Sequence, residues 1–310
     1  MKLRHYGIGH YFHGGVFGDL HSHRVELGQL AQSTISQHIK QLEGELGCHL
    51  FRRQGRGVHL TEAGQLLRDH CEKIFQDVKN AEMAIKELNG QQRGRIRFGS
   101  GATTLIYQLP PVIEAFTAQF PNIELVIFAD TTEAILREIR AQRLDLGLVM
   151  TPPADNELQF TPLCHEELRI ALPSKHPLAD KPALTVRDLR DLRFILYEKK
   201  TVMRKLIDDF FRDLDITPRI AMVMENIEAI KSLVGSGLGA SVLPQHAVGD
   251  NAMDKKVRML RVQNHVLRRQ LGLLSLKSAM PPNVVHQFSQ LIVHHFAAAS
   301  QRGEKNAFQK

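Results

Sequence analysis

The amino-acid sequence predicts an α+β protein made of several domains, because three zones of the chain carry three different residue patterns. The first zone ends near Leu60 and contains a short amphipathic helix followed by two short apolar strands with arginines between them. The second zone, from Thr61 to about Gln92, is one long helical pattern. The third zone, from residue 93 onward, alternates strand-like and helix-like segments, as in sheets covered by helices. A length of 310 residues suits about two domains.

The composition is that of a globular chain with more Lys and Arg than Asp and Glu residues. Hydrophobic residues make up 43%, which is ordinary for a protein with buried cores. The net charge of +7 and the pI near 9.4 are compatible with a polyanionic partner. Cys48, Cys71 and Cys164 form no CxxC pair, which argues against a disulfide framework and a zinc–thiolate site. Since the sequence shows no secretory signal and no run of about 20 apolar residues, we expect a cytoplasmic protein.

The segment AQSTISQHIKQLEGELG (31–47) is predicted to form a short amphipathic helix. Ile35, Ile39, Leu42 and Leu46 recur at spacings of 4, 3 and 4, which gives one apolar face. Hydroxyl and amide side chains near the start of a helix suit base edges in the major groove, and the helix N-terminus suits a phosphate. The alternative is an N-cap followed by a solvated face, and the helix alone does not separate the two interpretations.

The next stretch, HLFRRQGRGVHLT (49–61), favours the nucleic-acid interpretation. It holds two short apolar strands, around Leu50–Phe51 and Val58–Leu60, with glycines between them that permit a tight hairpin. The arginines between the strands suit contacts with phosphates. Arginines on a hairpin can arise by chance, but a hairpin of this kind directly after a helix rich in Ser, Thr and Gln is a more specific signal.

The second zone is predicted to be a long helix capped by Thr61. Its apolar residues follow a 3.5-residue period over about three heptads, which is typical of a seam between two helices. They are Leu67, Cys71, Ile74, Val78, Ala81, Ile85 and Leu88. The alternative is a helix that packs on its own domain. We favour a dimer seam, because the helix lies between two domains and has little of its own chain to pack on.

The third zone is predicted to form a parallel or mixed sheet with helices, folded as two small α/β lobes. Strand-like segments lie at 95–101, 123–129, 144–150, 168–173, 193–198, 219–224 and 239–244. Helical patterns lie at 105–120, 132–143, 204–214 and 226–237.

Hydroxyl groups follow several of these strands, and ligands of open α/β sheets bind beyond the carboxyl ends of strands. The candidate ligand-binding residues are Ser100, Thr103, Thr104, Thr151, Tyr197 and Thr201. The first three stand at the start of a helical pattern, where free N–H groups favour an anion. Each hydroxyl taken singly could be a helix cap, so the prediction depends on their convergence. We expect a small carboxylate or other anion, and the neighbouring Glu198 argues against several negative charges.

The sequence holds none of the motifs HExxH, GxSxG or a Walker loop, so we expect no enzyme, no metal site and no cofactor. The segment GSGLGAS (235–241) follows a helix and precedes a strand, which is the reverse of the dinucleotide-binding order, so we expect a turn there. An α/β enzyme and a cytoplasmic solute-binding or sensor protein are the alternatives. Neither of them explains the pattern of residues 31–88.

Residues 31–64, AQSTISQHIKQLEGELGCHLFRRQGRGVHLTEAG, resemble the recognition helix, wing and linker-helix start of the LysR-type transcriptional regulators. Weaker similarity continues in FPNIEL, RLDLGLV, HPLA and VGSGLGASVLP, which fall in the order of that family. The resemblance covers Ala31 to about Ala299. It implies a winged helix-turn-helix, a dimerising linker helix, and a two-lobed effector-binding domain similar to periplasmic binding proteins.

The resemblance also implies domain limits, partners and contacts. The domains would be a DNA-binding domain over 1–60, a linker helix over 61–92, an effector-binding domain over 93–300 (lobe 1 about 93–163 and 267–300, lobe 2 about 164–266) and a flexible tail over 301–310. The partners would be double-stranded DNA, a small-molecule co-inducer in the cleft between the lobes, and further copies of the chain, as a dimer and usually a tetramer. RNA polymerase is a further candidate. DNA contacts would come from Gln32, Ser33, Thr34, Ser36, Gln37, Lys40, Arg52, Arg53 and Arg56.

Residues 5–30 depart from the family pattern, which has two helices before the recognition helix. The segment instead carries glycines, each of which costs about 1 kcal/mol in a helix interior. It also carries five histidines, which are His5, His10, His13, His21 and His23. A metal site there would lack a scaffold, and divergence and a compensated frame slip are alternative origins. Our hypothesis is a weakened first half of the helix-turn-helix, with impaired affinity for the operator.

Overall fold

The computed structural model describes residues 32–54, 57–88, 94–150, 155–249, 254–277 and 281–307. The histidine-bearing segment 5–30, Arg56 and Thr151 lie outside the described residues, as do the side chains of Gln32, Ser33 and Thr34. The chain forms two compact units, the first made of the chain up to Ile85 with Ala141–Arg143, and the second made of Lys86–Arg140 and the chain from Leu144 onward. None of the described helices is long and apolar enough to cross a membrane.

The first unit contains the elements that the sequence predicts for it. They are α1 (Gln32–Leu46), β1 (Phe51–Gln54), β2 (Gly57–Leu60) and α2 (Glu62–Leu88). Helix α1 ends where Gly47 takes a φ of +67°, a left-handed conformation that glycine adopts without strain. Strands β1 and β2 pair antiparallel, so the predicted hairpin is confirmed.

The core of this unit joins α1, the hairpin and α2. Leu42 of α1, Leu50 before β1 and Cys71 of α2 are buried together. Partly buried hydrophobic residues pack around them, namely Phe51, Ala63, Leu67 and Phe75. Of the apolar face predicted for α1, Leu42 therefore packs on the hairpin and on the first turns of α2, whereas Leu46 is 49% exposed.

Glu43 fastens α1 to the start of β1. Its Oε1 accepts hydrogen bonds from the amides of Leu50 (2.7 Å) and Phe51 (3.2 Å), and its Oε2 lies 3.4 Å from His49 Nδ1. Burial disfavours the charged carboxylate, but the two amides and His49 outweigh burial and hold the pKa of Glu43 below its ordinary value of 4.5. The helix and the strand thus keep a fixed geometry relative to each other.

Thr61 caps α2, as the sequence predicts. Its hydroxyl accepts from the Gly64 amide at 3.1 Å and donates to the His49 carbonyl at 2.6 Å. Gly64 approaches the Leu50 carbonyl so closely that a Cβ there would lie 2.0 Å from that oxygen. The same short stretch therefore starts α2 and holds it against the segment that precedes the hairpin.

The second unit contains a seven-stranded mixed sheet, a separate two-stranded parallel sheet, and helices. Its strands are β3 (Gly94–Ser100), β4 (Ile123–Ala129), β5 (Leu146–Met150), β6 (Leu158–Pro173), β7 (Arg193–Tyr197), β8 (Arg219–Met224), β9 (Ser241–Pro244), β10 (Val257–Leu260) and β11 (Leu267–Leu276). Its helices are α3 (Ala102–Tyr107), α4 (Pro110–Gln119), α5 (Thr132–Arg140), α6 (Val186–Asp191), α7 (Val202–Asp213), α8 (Ile227–Gly235) and α9 (Asn283–Ala307), with 3-10 turns at Gln245–Ala247 and Asp254–Lys256.

Long strands β6 and β11 connect two lobes. Lobe 1 consists of β3, β4 and β5 with α3, α4, α5 and α9, and lobe 2 of β7 to β10 with α6, α7 and α8. In the main sheet the strand order is β10-β6-β11-β5-β3-β4, with β9 also paired to β6. Strand β11 pairs with β5 through Leu271–Leu274 and with β6 over its whole length, while the far end of β6 pairs with β9 and β10.

Each lobe has its own aromatic core. In lobe 1 the ring of Phe288 on α9 packs edge-on against Phe98 and Phe116, with centroid distances of 5.2 and 4.7 Å. In lobe 2 Phe194 and Phe211 pack edge-on at 4.9 Å. Edge-to-face packing is the favoured arrangement for such pairs. The C-terminal helix is therefore part of the core of lobe 1.

The structure corrects several boundaries expected for the third zone. The helix expected over 105–120 is two helices, because Pro110 lacks an amide donor and starts a new helix. The strand expected over 168–173 is the end of the sixteen-residue β6. Strands β10 and β11 were not predicted. Helix α9 continues to Ala307, although the sequence predicts a flexible tail from 301, because that stretch is rich in good helix formers.

Replacing Glu43 with Gln should loosen the junction between α1 and β1. We expect the Leu50 and Phe51 amides to lose about 1–2 kcal/mol of protection against hydrogen exchange at neutral pH. Because the folded-state pKa of Glu43 lies below the unfolded value, its contribution is present above pH 4.5 and disappears as the pH falls through the folded-state pKa. The two proteins should therefore converge in acid. The matched control is Glu45→Gln on an exposed position of the same helix, and equal protection in all three proteins at pH 7 would contradict the prediction.

Candidate nucleic-acid interface and ligand cleft

The solvent-facing side of α1 carries the polar residues expected to contact nucleic acid. Ser36, Gln37 and Lys40 are exposed, while Leu42 points into the core. Residues 36, 37 and 40 share one side of a helix, because positions four apart are neighbours on its surface. The amide and ammonium groups there are suited to base edges and phosphates respectively.

The hairpin adds cationic groups next to this helix. Arg52 and Arg53 are exposed on β1, opposite His59 and Val58 of β2. The two strands carry no carboxylate, so no hairpin residue neutralises these arginines. The Glu43 contacts hold β1 to α1, so the arginines and the polar face of α1 belong to one rigid surface. We call this surface, made of Ser36, Gln37, Lys40, Arg52 and Arg53, the α1–β1 surface.

The apolar stripe of α2 is divided between the core and solvent. Leu67 and Cys71, expected in a seam between two helices, instead pack with Leu42 and Leu50 in the first unit, so this part of the expectation is wrong. Ile74, Val78, Ala81 and Ile85 stay exposed, with 50% exposure for Ile74, 37% for Val78 and 59% for Ile85, and the side chain of Leu88 lies outside the described part. Core packing uses the first turns of α2 and leaves these four residues uncovered.

Three of the expected ligand-binding hydroxyls lie at the end of β3 and in α3. Ser100 is fully buried and donates to the Gly101 carbonyl at 3.3 Å, Thr104 is buried, and Thr103 is partly buried. None of them caps α3, whose N-cap residue is Gly101 without a side-chain hydrogen bond. Since α3 is only six residues long, its N-terminus alone gives little reason for an anion to bind.

The hydroxyls expected from lobe 2 have different roles. Thr201 accepts from the Arg204 amide at 3.2 Å and donates to the Glu198 carbonyl at 2.9 Å, so its hydroxyl is used to cap α7. Glu198 itself is exposed. Tyr197 is buried, and its hydroxyl has no hydrogen-bond partner in the described part of the chain. Burial raises the pKa of Tyr197, which leaves a neutral phenol able to donate a hydrogen bond.

The two long strands carry a buried ion pair that the sequence analysis missed. Glu166 on β6 and Arg269 on β11 face each other in the strand register, and Arg269 Nε donates to Glu166 Oε2. Both side chains are nearly inaccessible to solvent. Gln108, after α3 of lobe 1, donates to Glu166 Oε1 at 2.7 Å, and His246 of lobe 2 places Nε2 3.9 Å from the same oxygen. Groups from both lobes therefore meet at this pair.

Two donors at the ion pair are left without partners. Arg269 Nη1 contacts the Met150 sulfur at 3.5 Å, but Nη2 is buried and, like the Tyr197 hydroxyl, lacks a hydrogen-bond partner among the described residues. A buried donor without an acceptor costs about 1–3 kcal/mol. Burial also raises the pKa of nearby Cys164 to about 11, as expected where water is excluded.

One feature of the sequence could have identified this site. Glu166 and Arg269 lie in strand segments in which many other residues are apolar. A charged side chain on the buried face of a strand requires a partner. Among the described residues no group of three His, Cys, Asp or Glu side chains could hold a metal ion. The histidines at positions 5–23 lie outside the described residues.

The chain matches two family models. The model for the LysR substrate binding domain matches residues 89–297, and the model for the bacterial regulatory helix-turn-helix protein, lysR family, matches residues 26–65. The chain is also similar to an uncharacterized HTH-type transcriptional regulator, YybE, of Bacillus subtilis (strain 168). The two are 28% identical over 268 residues, which covers 86% of this chain and 91% of that protein.

Solved structures share the fold. The full-length regulator CbnR in complex with its target DNA is similar with a TM-score of 0.68 at 18% identity, covering 94% of this chain and 99% of that one. The regulatory domain of CcmR from Synechocystis PCC6803, in complex with 2-PG, is similar with a TM-score of 0.61 at 24% identity. This match covers 65% of this chain and 97% of that one.

Replacing Arg269 with Met should destabilise the second unit strongly. The substitution leaves the Glu166 carboxylate buried without its cation, and we expect a loss of about 3–5 kcal/mol in the free energy of unfolding. The double variant Glu166→Gln/Arg269→Met should recover much of this loss, because no buried charge remains. Urea unfolding followed by circular dichroism measures both effects.

The control is Arg261→Met, which breaks an exposed pair with Glu167 and should cost less than about 1 kcal/mol. Equal losses for Arg269→Met and Arg261→Met would contradict the importance of the buried pair.

Proposed function

Since this chain belongs to the LysR family of transcriptional regulators, we propose that the α1–β1 surface binds DNA and that a small effector bound at the Glu166–Arg269 pair controls this activity. As a family member the chain is a DNA-binding regulator with an effector-binding domain. The family consists of regulators and not of enzymes. The observation that carries the residue-level proposal is the pairing of a polar helix face with two exposed arginines on one rigid support.

We assign the DNA contacts as follows. Ser36 and Gln37 would read base edges in the major groove, and Lys40, Arg52 and Arg53 would contact phosphates. Gln32, Ser33 and Thr34 in the first turn of α1, and Arg56 at the tip of the hairpin, would join them. The exposed charges and the absence of carboxylates on β1 and β2 support this assignment.

We assign the effector to the cleft between the lobes. Arg269 Nη2 and the Tyr197 hydroxyl would donate to one oxygen of the ligand. The hydroxyls of Ser100, Thr103 and Thr104 would lie nearby, and Thr151, outside the described residues, is a further candidate. Thr201 would act indirectly, by capping α7. The charges of Glu166 and Arg269 compensate each other, so a neutral or singly charged ligand fits better than a dianion. The CcmR regulatory domain was solved with 2-PG, which supports a small-molecule effector in this chain also.

We propose a homodimer formed through α2. Its exposed residues Ile74, Val78, Ala81 and Ile85 keep spacings of 4, 3 and 4, which suits a seam with the same helix of a second copy. Two copies would present two α1 helices to a two-fold DNA site. We further propose that two such dimers form a tetramer and that the chain contacts RNA polymerase. We also propose that the protein is located in the cytoplasm.

A second candidate function follows from the N-terminal segment. The helix-turn-helix family match begins at residue 26, so most of the histidine-bearing stretch precedes it. If this stretch fails to support α1, the chain is a sensor with weak or absent DNA binding. Binding to duplex DNA separates the two functions.

The first test of the DNA assignment is the salt dependence of binding. We expect the affinity of the full chain for duplex DNA to fall steeply as salt rises, because phosphate contacts release counterions. Arg52→Ala and Arg53→Ala should each reduce the slope of log affinity against log salt by about 1. Fluorescence anisotropy on a random-sequence duplex, and on a duplex selected by the protein from genomic fragments, measures these slopes.

Arg187→Ala removes an exposed arginine of lobe 2 and should leave the slope unchanged. The assignment of the α1–β1 surface would be contradicted by binding that does not respond to salt. Equal slopes in the unmodified chain and in the three variants would also contradict it.

The test of the effector assignment is a thermal-shift screen of the full chain. The panel contains small neutral polyols, monocarboxylates, dicarboxylates and phosphate esters, because a ligand raises the melting temperature of the fold it binds. We expect stabilisation by a neutral or singly charged compound, and about a five- to tenfold weaker affinity in Tyr197→Phe, which lacks one hydrogen-bond donor.

Ser289→Ala removes a hydroxyl that bonds only within α9 and should bind like the unmodified chain. If the best compound bound Tyr197→Phe and the unmodified chain equally well, the cleft donors would not hold the effector.

A further inference from the structure

Tyr107 connects the two lobes at a place separate from the Glu166–Arg269 pair. It is the last residue of α3 in lobe 1, yet its hydroxyl bonds to two residues of α8 in lobe 2. The hydroxyl donates to Glu228 Oε1 and accepts from Lys231 Nζ at 3.0 Å. The Lys231 ammonium also lies 5.0 Å from the centroid of the Tyr107 ring, within the range of a cation–π contact.

Lys231 is a buried lysine whose other partners all belong to lobe 2. Its side chain is 2% exposed, and Nζ lies 2.7 Å from Asp254 Oδ1 and 2.9 Å from the Ala247 carbonyl. Lys231 thus donates to the Ala247 carbonyl and to the Tyr107 hydroxyl, and its charge pairs with Asp254. Among the described residues, Tyr107 is the partner that lobe 1 provides.

Glu228 is a further partner of Lys231 within lobe 2. Its Oε1 lies 3.2 Å from Lys231 Nζ, on the same helix. If lobe 1 moved away, Lys231 would keep its ion pairs with Glu228 and Asp254. The contact between the lobes can thus break without leaving an unpaired ammonium, so the lobes can be joined or apart at this point. An element with two such arrangements is what a conformational switch requires.

Tyr107 also directly precedes a residue that contacts the Glu166–Arg269 pair. Gln108, the following residue, donates to Glu166 Oε1 at 2.7 Å. A group that binds at Arg269 and Glu166 would act on Gln108, and through it on the helix end that carries Tyr107. The ligand cleft and the contact with α8 are therefore linked through two consecutive residues.

We propose that Tyr107 is a latch that holds the two lobes together through Lys231 and Glu228, and that its making and breaking sets how far the cleft is open. Tyr107 acts here as a positioning residue and does not contact the effector. The inference rests on the proposed function only in identifying the cleft as the effector site. The closure it describes is a property of the second unit alone.

The experiment measures the distance between the lobes in the full chain, without DNA or added ligand. Spin labels are attached through introduced azide-bearing residues at Glu114 on α4 and Lys205 on α7, which are both exposed, so the native cysteines stay unlabelled. Doubly labelled chain is diluted with unlabelled chain, and double electron–electron resonance gives the distance distribution. The proteins compared are the unmodified chain, Tyr107→Phe and the control Thr117→Val. Thr117 also carries a hydroxyl in lobe 1, but that hydroxyl bonds only to carbonyls of its own helix.

In Tyr107→Phe we expect the ratio of long to short distances to rise about tenfold, because one hydrogen bond to a charged group is lost. Thr117→Val should keep the distribution of the unmodified chain. An unchanged distribution in Tyr107→Phe would overturn the proposal, and so would the same change in both variants. This experiment contains neither DNA nor effector, so its result does not depend on the DNA or effector assignment. Those two assignments are tested separately by the DNA-binding and thermal-shift measurements.

Discussion

The effector-binding domain depends on one buried ion pair. Glu166 and Arg269 lie on the two long strands, of which β11 pairs with β5 of lobe 1 and β6 pairs with β9 and β10 of lobe 2, while the two strands pair with each other. A buried charge is tolerated only when it is paired and hydrogen-bonded. The pair therefore fixes the register of β6 on β11 at the point where the lobes diverge. Gln108 of lobe 1 and His246 of lobe 2 both approach Glu166, and Arg269 Nη2 is buried without a hydrogen-bond partner among the described residues.

The same physical principle recurs at each functional junction of the molecule. The carboxylate of Glu43 ties the recognition helix to the hairpin by accepting from backbone amides. The ammonium of Lys231 is held in lobe 2 and reaches Tyr107 in lobe 1. In each case a charged group is buried in part or fully and needs several partners, so it specifies geometry more than it adds stability. Hydrophobic packing forms the individual cores, and these polar groups determine how the elements meet.

Much of the fold follows from local patterns in the sequence. The recognition helix, the hairpin, the Thr61 cap and the turn in GSGLGAS depend on neighbours within a few residues, and all are confirmed. The seam predicted from the heptad pattern of α2 was wrong for Leu67 and Cys71. Periodicity identifies an apolar stripe but does not show which part of the stripe packs against the rest of the same chain. Hydroxyls at strand ends were the expected ligand contacts, yet Thr201 is a helix cap. The buried Glu166–Arg269 pair was missed, because the two residues are 103 positions apart and only the strand register pairs them.

The most direct measurement of the central claim is a hydroxyl-radical footprint of the full chain on DNA that it selects from genomic fragments. A dimer joined through α2, with one recognition helix in each copy, should protect two symmetric half-sites. Their centres should lie one turn of the double helix, or a multiple of it, apart. A folded protein that protects no DNA segment at any concentration, or that protects a single unpaired site, would contradict the proposed regulator.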